Sequence, residues 1–282
     1  MFLAQWTFPD FDPVIFHIGS LSIKWYGVMF VSGFLVGNWL LKRLSKERRL
    51  RIDVDSVNDL LIALMIGVIL GGRLGYVLWY HLDKYLENPV EFFKIWQGGL
   101  SFHGGLVGAF LAVLWFSARR RVSVLNVMDA CALSGTPGIL FVRVANFING
   151  ELYGRPTTSV PWRMVFPKDT YQLERHPSQL YEGLLEGAFL FCVLWLNRRR
   201  SWLRRDGRIA GCFLMGYAVL RFLIEFVRDP DPHLGAIDWG LSRGQTLSLA
   251  MAVFGAVVFW WSGRTSAASD AVASEGDDTR AT

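Results

Sequence analysis

Apolar stretches of about 20 residues recur along the chain, separated by short polar or charged breaks. About 20 helical residues at ~1.5 Å each cross the hydrocarbon core of a bilayer. The stretches are apolar all round and lack the polar face of a helix that covers a soluble core. The pattern predicts seven spans, at 23–41, 57–80, 100–117, 124–148, 177–197, 209–227 and 241–261. The longest break, 149–176, is rich in Pro, Thr and charge and predicts a small folded head. Residues 228–240 are dense in turn formers, and from Ser262 onward the chain is small and polar, the composition of a disordered tail. The expected architecture is therefore all-α: a polytopic membrane domain over 1–261 with an insert at 149–176, and a tail at 262–282.

Charge fixes an orientation. Lys and Arg bunch at 42–51, 119–121 and 198–208, after the first, third and fifth predicted spans. With alternating spans those loops share one side, and basic loops face the cytoplasm. The N-terminus, the 81–99 loop, the 149–176 insert and the 228–240 segment then face outward, and the C-terminus faces inward. Trp25, Trp79, Trp96, Trp239, Trp260 and Trp261 fall near span ends, where membrane interfaces favour the indole ring. The net charge of +5 thus reflects loop placement; no basic stripe with interleaved aromatics suggests nucleic acid. Cys131, Cys192 and Cys212 sit singly in apolar stretches and read as small buried hydrophobes. Asp10 and Asp12 near the start do not fit the basic-then-apolar pattern of a cleavable signal.

Candidate chemistry lies in polar groups embedded in apolar spans: Arg73, His103, Arg143, Asn146, Arg221 and Glu225. A charged side chain at mid-bilayer costs roughly 2.5–3.5 kcal/mol on insertion scales, so it normally turns inward and has a role. Arg143 and Asn146 share a helix face, followed by Glu151 and Gly154 at the outer end of the fourth span. A guanidinium backed by an amide and a carboxylate suits a lipid phosphate. The alternative is a snorkelling Arg beside capping residues. Tyr217, Arg221 and Glu225 form one stripe of a later span, and an internal ion pair competes there with anion binding. His103 precedes Gly104, Gly105 and Gly108; an interfacial His is commonly structural, yet it is also the side chain best suited to take a proton near neutral pH. Gly104 and Gly108 have the small-xxx-small spacing that admits a neighbouring helix. The remaining histidines lack metal-ligand spacing, so no metal and no cofactor are expected.

These residues fall within blocks that resemble the prolipoprotein diacylglyceryl transferase family: SIKWYG (22–27), GGRLGYVLWY (71–80), GGLSFHGGLVG (98–108), RVANFINGELYGR (143–155) and HPSQLYE (176–182). RFLIEFVRDPDPHLG (221–235) and the Gly244–Gln245 pair extend the resemblance. It runs from about Pro13 to Leu249, and the Arg143–Gly154 block is its most specific part. Where the family usually has small residues before the arginine, this chain has Ile139, Leu140, Phe141 and Val142.

The resemblance implies a bacterial inner-membrane enzyme acting on the periplasmic side. It would move diacylglyceryl from phosphatidylglycerol to the lipobox cysteine of a prolipoprotein signal peptide, leaving glycerol phosphate. It implies catalytic roles for Tyr26, His103, Arg143, Glu151, Arg221 and Glu225. It implies phosphatidylglycerol binding by Arg143, Arg221, Asn146 and Gly154. The nucleophile would belong to the substrate. A transporter or channel for an anionic solute, with the arginines lining a path, is the alternative; no inverted repeat is evident for it. A structural scaffold would leave the embedded charges without a role.

Overall fold

The computed structural model describes residues 6–9, 11–19, 21–80, 82–95, 98–229 and 240–278. The elements, in order, are β1 (Val14–Ile18), β2 (Leu21–Lys24), α1 (Trp25–Lys46), α2 (Ser56–Tyr80), α3 (Leu82–Glu87), α4 (Phe102–Arg120), α5 (Val124–Ile148), β3 (Met164–Val165), β4 (Glu174–Arg175), α6 (Ser178–Glu182), α7 (Leu190–Asn197), α8 (Arg208–Ile224) and α9 (Arg243–Asp278). A π-helical stretch, Gly183–Phe189, joins α6 to α7. The chain is mostly helical; β1 pairs antiparallel with β2, and β3 with β4, as two small hairpins that the all-α expectation omitted.

Among the described residues, five stretches are long and apolar enough to cross a membrane: Ser56–Trp79, Phe102–Arg120, Val124–Ile148, Ser178–Asn197 and Arg243–Ser262. The other two predicted spans are also helices, α1 and α8. At 17 residues, α8 covers about 26 Å, short of a ~30 Å hydrocarbon core. α1 ends in Arg43 and Lys46. The backbone of α9 stays helical to Asp278, past the point where the sequence predicts a disordered tail. Trp96, Trp239 and most of the 228–240 turn segment lie outside the described residues. Trp79, Trp260 and Trp261 are exposed.

The chain divides into two compact units, with the divisions falling within α1 and α5. The unit spanning 41–130 is built on α2 and α4. Their seam is made of glycine: a Cβ at Gly75 would stand 2.8 Å from Gly104 Cα, and one at Gly71 would stand 2.7 Å from Gly108 Cα. The small spacing expected of Gly104 and Gly108 thus meets matching glycines on α2, and backbone packs on backbone. Arg73, 3 % exposed, is a structural pin here. It donates to the carbonyls of Phe92, Gly98, Gly99 and Glu91 at 2.6–3.0 Å and lies over the Tyr85 ring.

The second unit holds 1–40 and 131–282. Within it α5 meets the π-helical stretch where Leu140 packs on Gly183 and Gly187. The small residues absent before Arg143 are therefore supplied by the facing helix. α8 and α9 approach through Gly211 and Gly255. Met164 and Phe166 of the 149–176 insert form an apolar core with Phe147 at the end of α5, and Phe8, Tyr153 and Leu180 pack against it. Buried Arg175 grips Asp169 with two nitrogens, at 2.7 and 3.0 Å. The insert is stitched to the chain leaving α8: Arg155 N donates to Val227 O, Arg155 Nε donates to Arg228 O, and Arg175 Nη1 donates to Asp229.

Candidate active site

The 131–282 segment gathers a cluster of charge that no single stretch of sequence contains. Arg143, on the last turns of α5, reaches Glu182 at the end of α6, with Nη2 2.7 Å from Oε2. Arg228 Nε lies 3.9 Å from the other oxygen of Glu182. On α8, Arg221 Nη2 lies 2.7 Å from Glu225 Oε2, an i,i+4 pair. Glu186 and Tyr217 stand within electrostatic reach of both Arg143 and Arg221. The two arginines predicted to share a ligand therefore do face one neighbourhood.

Each charged group is held by recognisable local structure. Glu225 accepts a bond from Ser242 Oγ (2.8 Å), and Gly244 leaves room for its carboxyl group, since a Cβ there would stand 2.5 Å from Oε1. Ser242 and Gln245 form a capping box that starts α9: Gln245 N donates to Ser242 Oγ, and Ser242 N donates to Gln245 Oε1. The Gly244–Gln245 pair singled out in the sequence thus seats Glu225. Gly154 has no space for a side chain, because a Cβ would press on Val227 O and on His176. Its N–H donates to His176 O, and its carbonyl accepts from Arg175.

The structure distributes the sequence candidates unevenly. Asn146 Nδ2 donates to Glu151 Oε1 (2.9 Å), Asn149 adds a longer bond, and Gln179 holds the Glu151 carbonyl. Among the described residues, the carboxylate partner of Arg143 is Glu182, not Glu151, which instead fixes the Asn146 amide. Tyr26, at the start of α1, is 41 % exposed and makes no described hydrogen bond. His103 belongs to the other unit. There it is exposed in the first turn of α4, which Ser101 caps, with its ring 5.7 Å from Phe102.

Sequence reasoning missed Glu182 and Glu186, both fully buried. The signal was present: two carboxyl groups four residues apart in a span predicted to cross the bilayer, subject to the same cost that drew attention to the arginines. Outside the spans, His176 meets the Tyr181 hydroxyl at 3.3 Å, and burial pushes its imidazole below the usual range.

The cluster can recognise an anion. Arg221 Nη1 is buried without an acceptor, as are Asn146 Oδ1 and Gln179 Oε1 without donors. A buried guanidinium N–H with no partner is costly, and a phosphate oxygen would satisfy it. The family profile of prolipoprotein diacylglyceryl transferases matches residues 13–261. The chain belongs to the prolipoprotein diacylglyceryl transferase family. Among its relatives are proteins named phosphatidylglycerol–prolipoprotein diacylglyceryl transferase. That of Rhodospirillum rubrum is 49 % identical over 254 residues, covering 89 % of this chain and 92 % of the relative. That of Azospirillum brasilense is 46 % identical over 250 residues, covering 88 % and 93 %. That of Pseudoalteromonas atlantica is 45 % identical over 269 residues, covering 94 % of each. Every charged residue of the cluster lies within the stretch that matches the transferase family.

Proposed function

We infer that this protein transfers the diacylglyceryl group of phosphatidylglycerol to the lipobox cysteine thiol of prolipoproteins. The sulfur forms a bond to the glyceryl carbon, and the carbon–oxygen bond to phosphate breaks with its electron pair on oxygen. The thiol proton is released, and glycerol phosphate departs. The observation that carries this reading is the unpartnered Arg221 Nη1 in a buried cluster that also holds Arg143. Two guanidinium groups would bind the phosphodiester and stabilise the charge that grows on the leaving oxygen. Asn146, fixed by Glu151, and the backbone at Gly154 would orient the head group; Glu225 would hold Arg221. Tyr26 is assigned to the same task from the resemblance. His103 is the proposed base for the thiol.

The enzyme is read as a multi-pass protein of the bacterial inner membrane. In this reading α1 and α8 also cross, giving seven spans. The N-terminus and the 149–176 head are periplasmic, the C-terminus and the tail from Ser262 cytoplasmic. One-sided clustering of Lys and Arg supports the orientation. A reporter active only in the cytoplasm works when fused after Thr282, and its activity at Lys168 would reverse the topology.

The reaction is tested with purified protein, phosphatidylglycerol and a lipobox peptide, read by the mass gain of the peptide. Absence of the diacylglyceryl adduct rejects the assignment. His103→Gln lowers the rate by about 10²- to 10⁴-fold, and raising the pH partly restores it as the thiol ionises unaided. Activity retained within a few-fold at neutral pH would remove His103 from proton transfer.

A further inference from the structure

Apart from the residues assigned to the reaction, the 41–130 unit holds an open cavity of about 530 Å³ where α1 ends, α2 begins and α4 ends. Arg48, Arg51, Asp53 and Arg120 stand exposed at its rim, and buried Ser45 and Ser56 close it from below. Both α2 and α4 are long and apolar enough to cross a membrane, and the cavity sits at their paired ends, so it opens at a membrane boundary. Arg120 is at the far end of α4 from His103, about 26 Å along the helix. The loop that carries Arg48 and Arg51 is tied down by its backbone. The Arg49 and Leu50 N–H groups both donate to Leu44 O (2.8 and 3.1 Å), and Ser45 Oγ donates to Ile52 O (2.7 Å). Arg51 N donates to Asn126 Oδ1 (2.9 Å), and Asn126 Nδ2 donates to Arg49 O (2.7 Å). Arg48 turns the chain at a φ of 54°, and Leu44 and Leu50 are each 1 % exposed. Arg120 is oriented from α2, where Asp59 accepts from its Nη2.

Three guanidinium groups on a fixed frame around one cavity differ from a run of basic residues in a loop. Planar forks grip phosphate oxygens in pairs, and a frame already ordered spares the entropy of ordering it on binding. A membrane boundary is where phospholipid head groups lie. Asp53 on the same rim would repel a bare phosphate, yet it accepts from the hydroxyl or ammonium donors that a head group carries beyond its phosphate. We propose that the cavity is a phospholipid site distinct from the residues assigned to transfer. Arg48, Arg51 and Arg120 take the phosphate of a head group, and Asp53 takes a hydroxyl or ammonium donor at its outer end. The acyl chains lie along the helix pair, where Ile62 of α2 and Trp115 of α4 are exposed apolar side chains within about two turns of the cavity. On the orientation proposed above, this lipid belongs to the cytoplasmic leaflet.

The test is lipid retention by the full chain in detergent micelles, read by native mass spectrometry. Dioleoyl phosphatidylethanolamine is the main probe, because the proposed reaction consumes phosphatidylglycerol rather than this lipid. The wild type should retain it, and Arg48→Gln/Arg51→Gln should weaken its binding by about tenfold. Arg204→Gln/Arg205→Gln, which removes two exposed basic residues that do not line the cavity, should leave binding unchanged. Equal retention by the wild type and Arg48→Gln/Arg51→Gln, or an equal loss in Arg204→Gln/Arg205→Gln, overturns the proposal. Dioleoyl phosphatidylcholine, whose head group has no N–H or O–H donor, should bind about tenfold more weakly than phosphatidylethanolamine. Equal binding of the two overturns the part given to Asp53. Inorganic phosphate at millimolar concentration should not displace the lipid; displacement would make the cavity a site for the free anion and overturn the lipid assignment. If the double variant does not accumulate, Arg48→Gln alone decides, since that side chain is exposed. Retention needs no turnover, so absence of transfer rejects the proposed reaction, whereas absence of the retention contrast rejects this site.

Discussion

Arg175 in the head and Arg221 in the helical cluster are both buried or nearly so, yet their surroundings differ in kind. Arg175 is saturated: two bonds to Asp169, one to Asp229, one to the Gly154 carbonyl, and the Tyr153 ring 4.7 Å away. Asp169 is correspondingly held below the usual carboxylate range by the Arg175 bond. Arg221 has a single carboxylate contact and a buried nitrogen with nothing to bind. Burial of a guanidinium does not by itself mark a ligand site. A donor left over beside a second guanidinium, as Arg221 has beside Arg143, points to one, and Arg73, with its four carbonyls, falls with Arg175.

The sharpest way to break that comparison is lysine replacement. Arg143→Lys and Arg221→Lys should each cost about 10²- to 10³-fold in kcat/KM for transfer, with normal protein levels, because an ammonium cannot present a planar fork to phosphate. Arg175→Lys should lower Tm while leaving the KM for phosphatidylglycerol unchanged. A turnover loss in Arg175→Lys that matches Arg221→Lys would erase the distinction.

Asp169→Asn probes the saturated side. Removing one partner of this buried pair should destabilise the head by about 3 kcal/mol, read as faster proteolysis within 149–176. The pH sense follows from the direction of the shift. Because the folded pKa of Asp169 is depressed, its contribution is present above the unfolded carboxylate value and is lost as pH falls through the folded one. Head cleavage in the wild type should therefore rise only in strong acid, and Asp169→Asn should remove that dependence. The smallest expected effect is at the capping box, where Gln245→Ala should cost about 1 kcal/mol and change transfer only through the seating of Glu225.

The helical plan was legible because hydropathy is a local property. Predicted 124–148 matches α5, and 57–80 matches α2 to within a residue. The site was legible only in part. Arg143, Asn146, Arg221 and Glu225 stand out because polar groups in apolar runs are conspicuous on their own. Their partners do not follow from spacing: Arg143 meets Glu182 across 39 positions, beyond the stretch around Arg143 itself. Glu186 escaped notice because its surroundings, Arg143 on α5 with Arg221 and Tyr217 on α8, are brought together only by the folded packing. The hairpins β3–β4 and β1–β2 are too short to impose an alternating pattern that could be read against the surrounding turns.

The glycine seam between α2 and α4 has a genetic consequence. At Gly67, Gly71, Gly75, Gly104 and Gly108 the nearest facing atoms already lie inside 3.0 Å from where a Cβ would be, and most of them are backbone that cannot rotate away. Every missense codon adds at least that one carbon, so conservative and radical changes are equivalent there. A library covering all substitutions should show these positions as five empty columns, Ala no better tolerated than Trp, spaced at four-residue intervals along two helices.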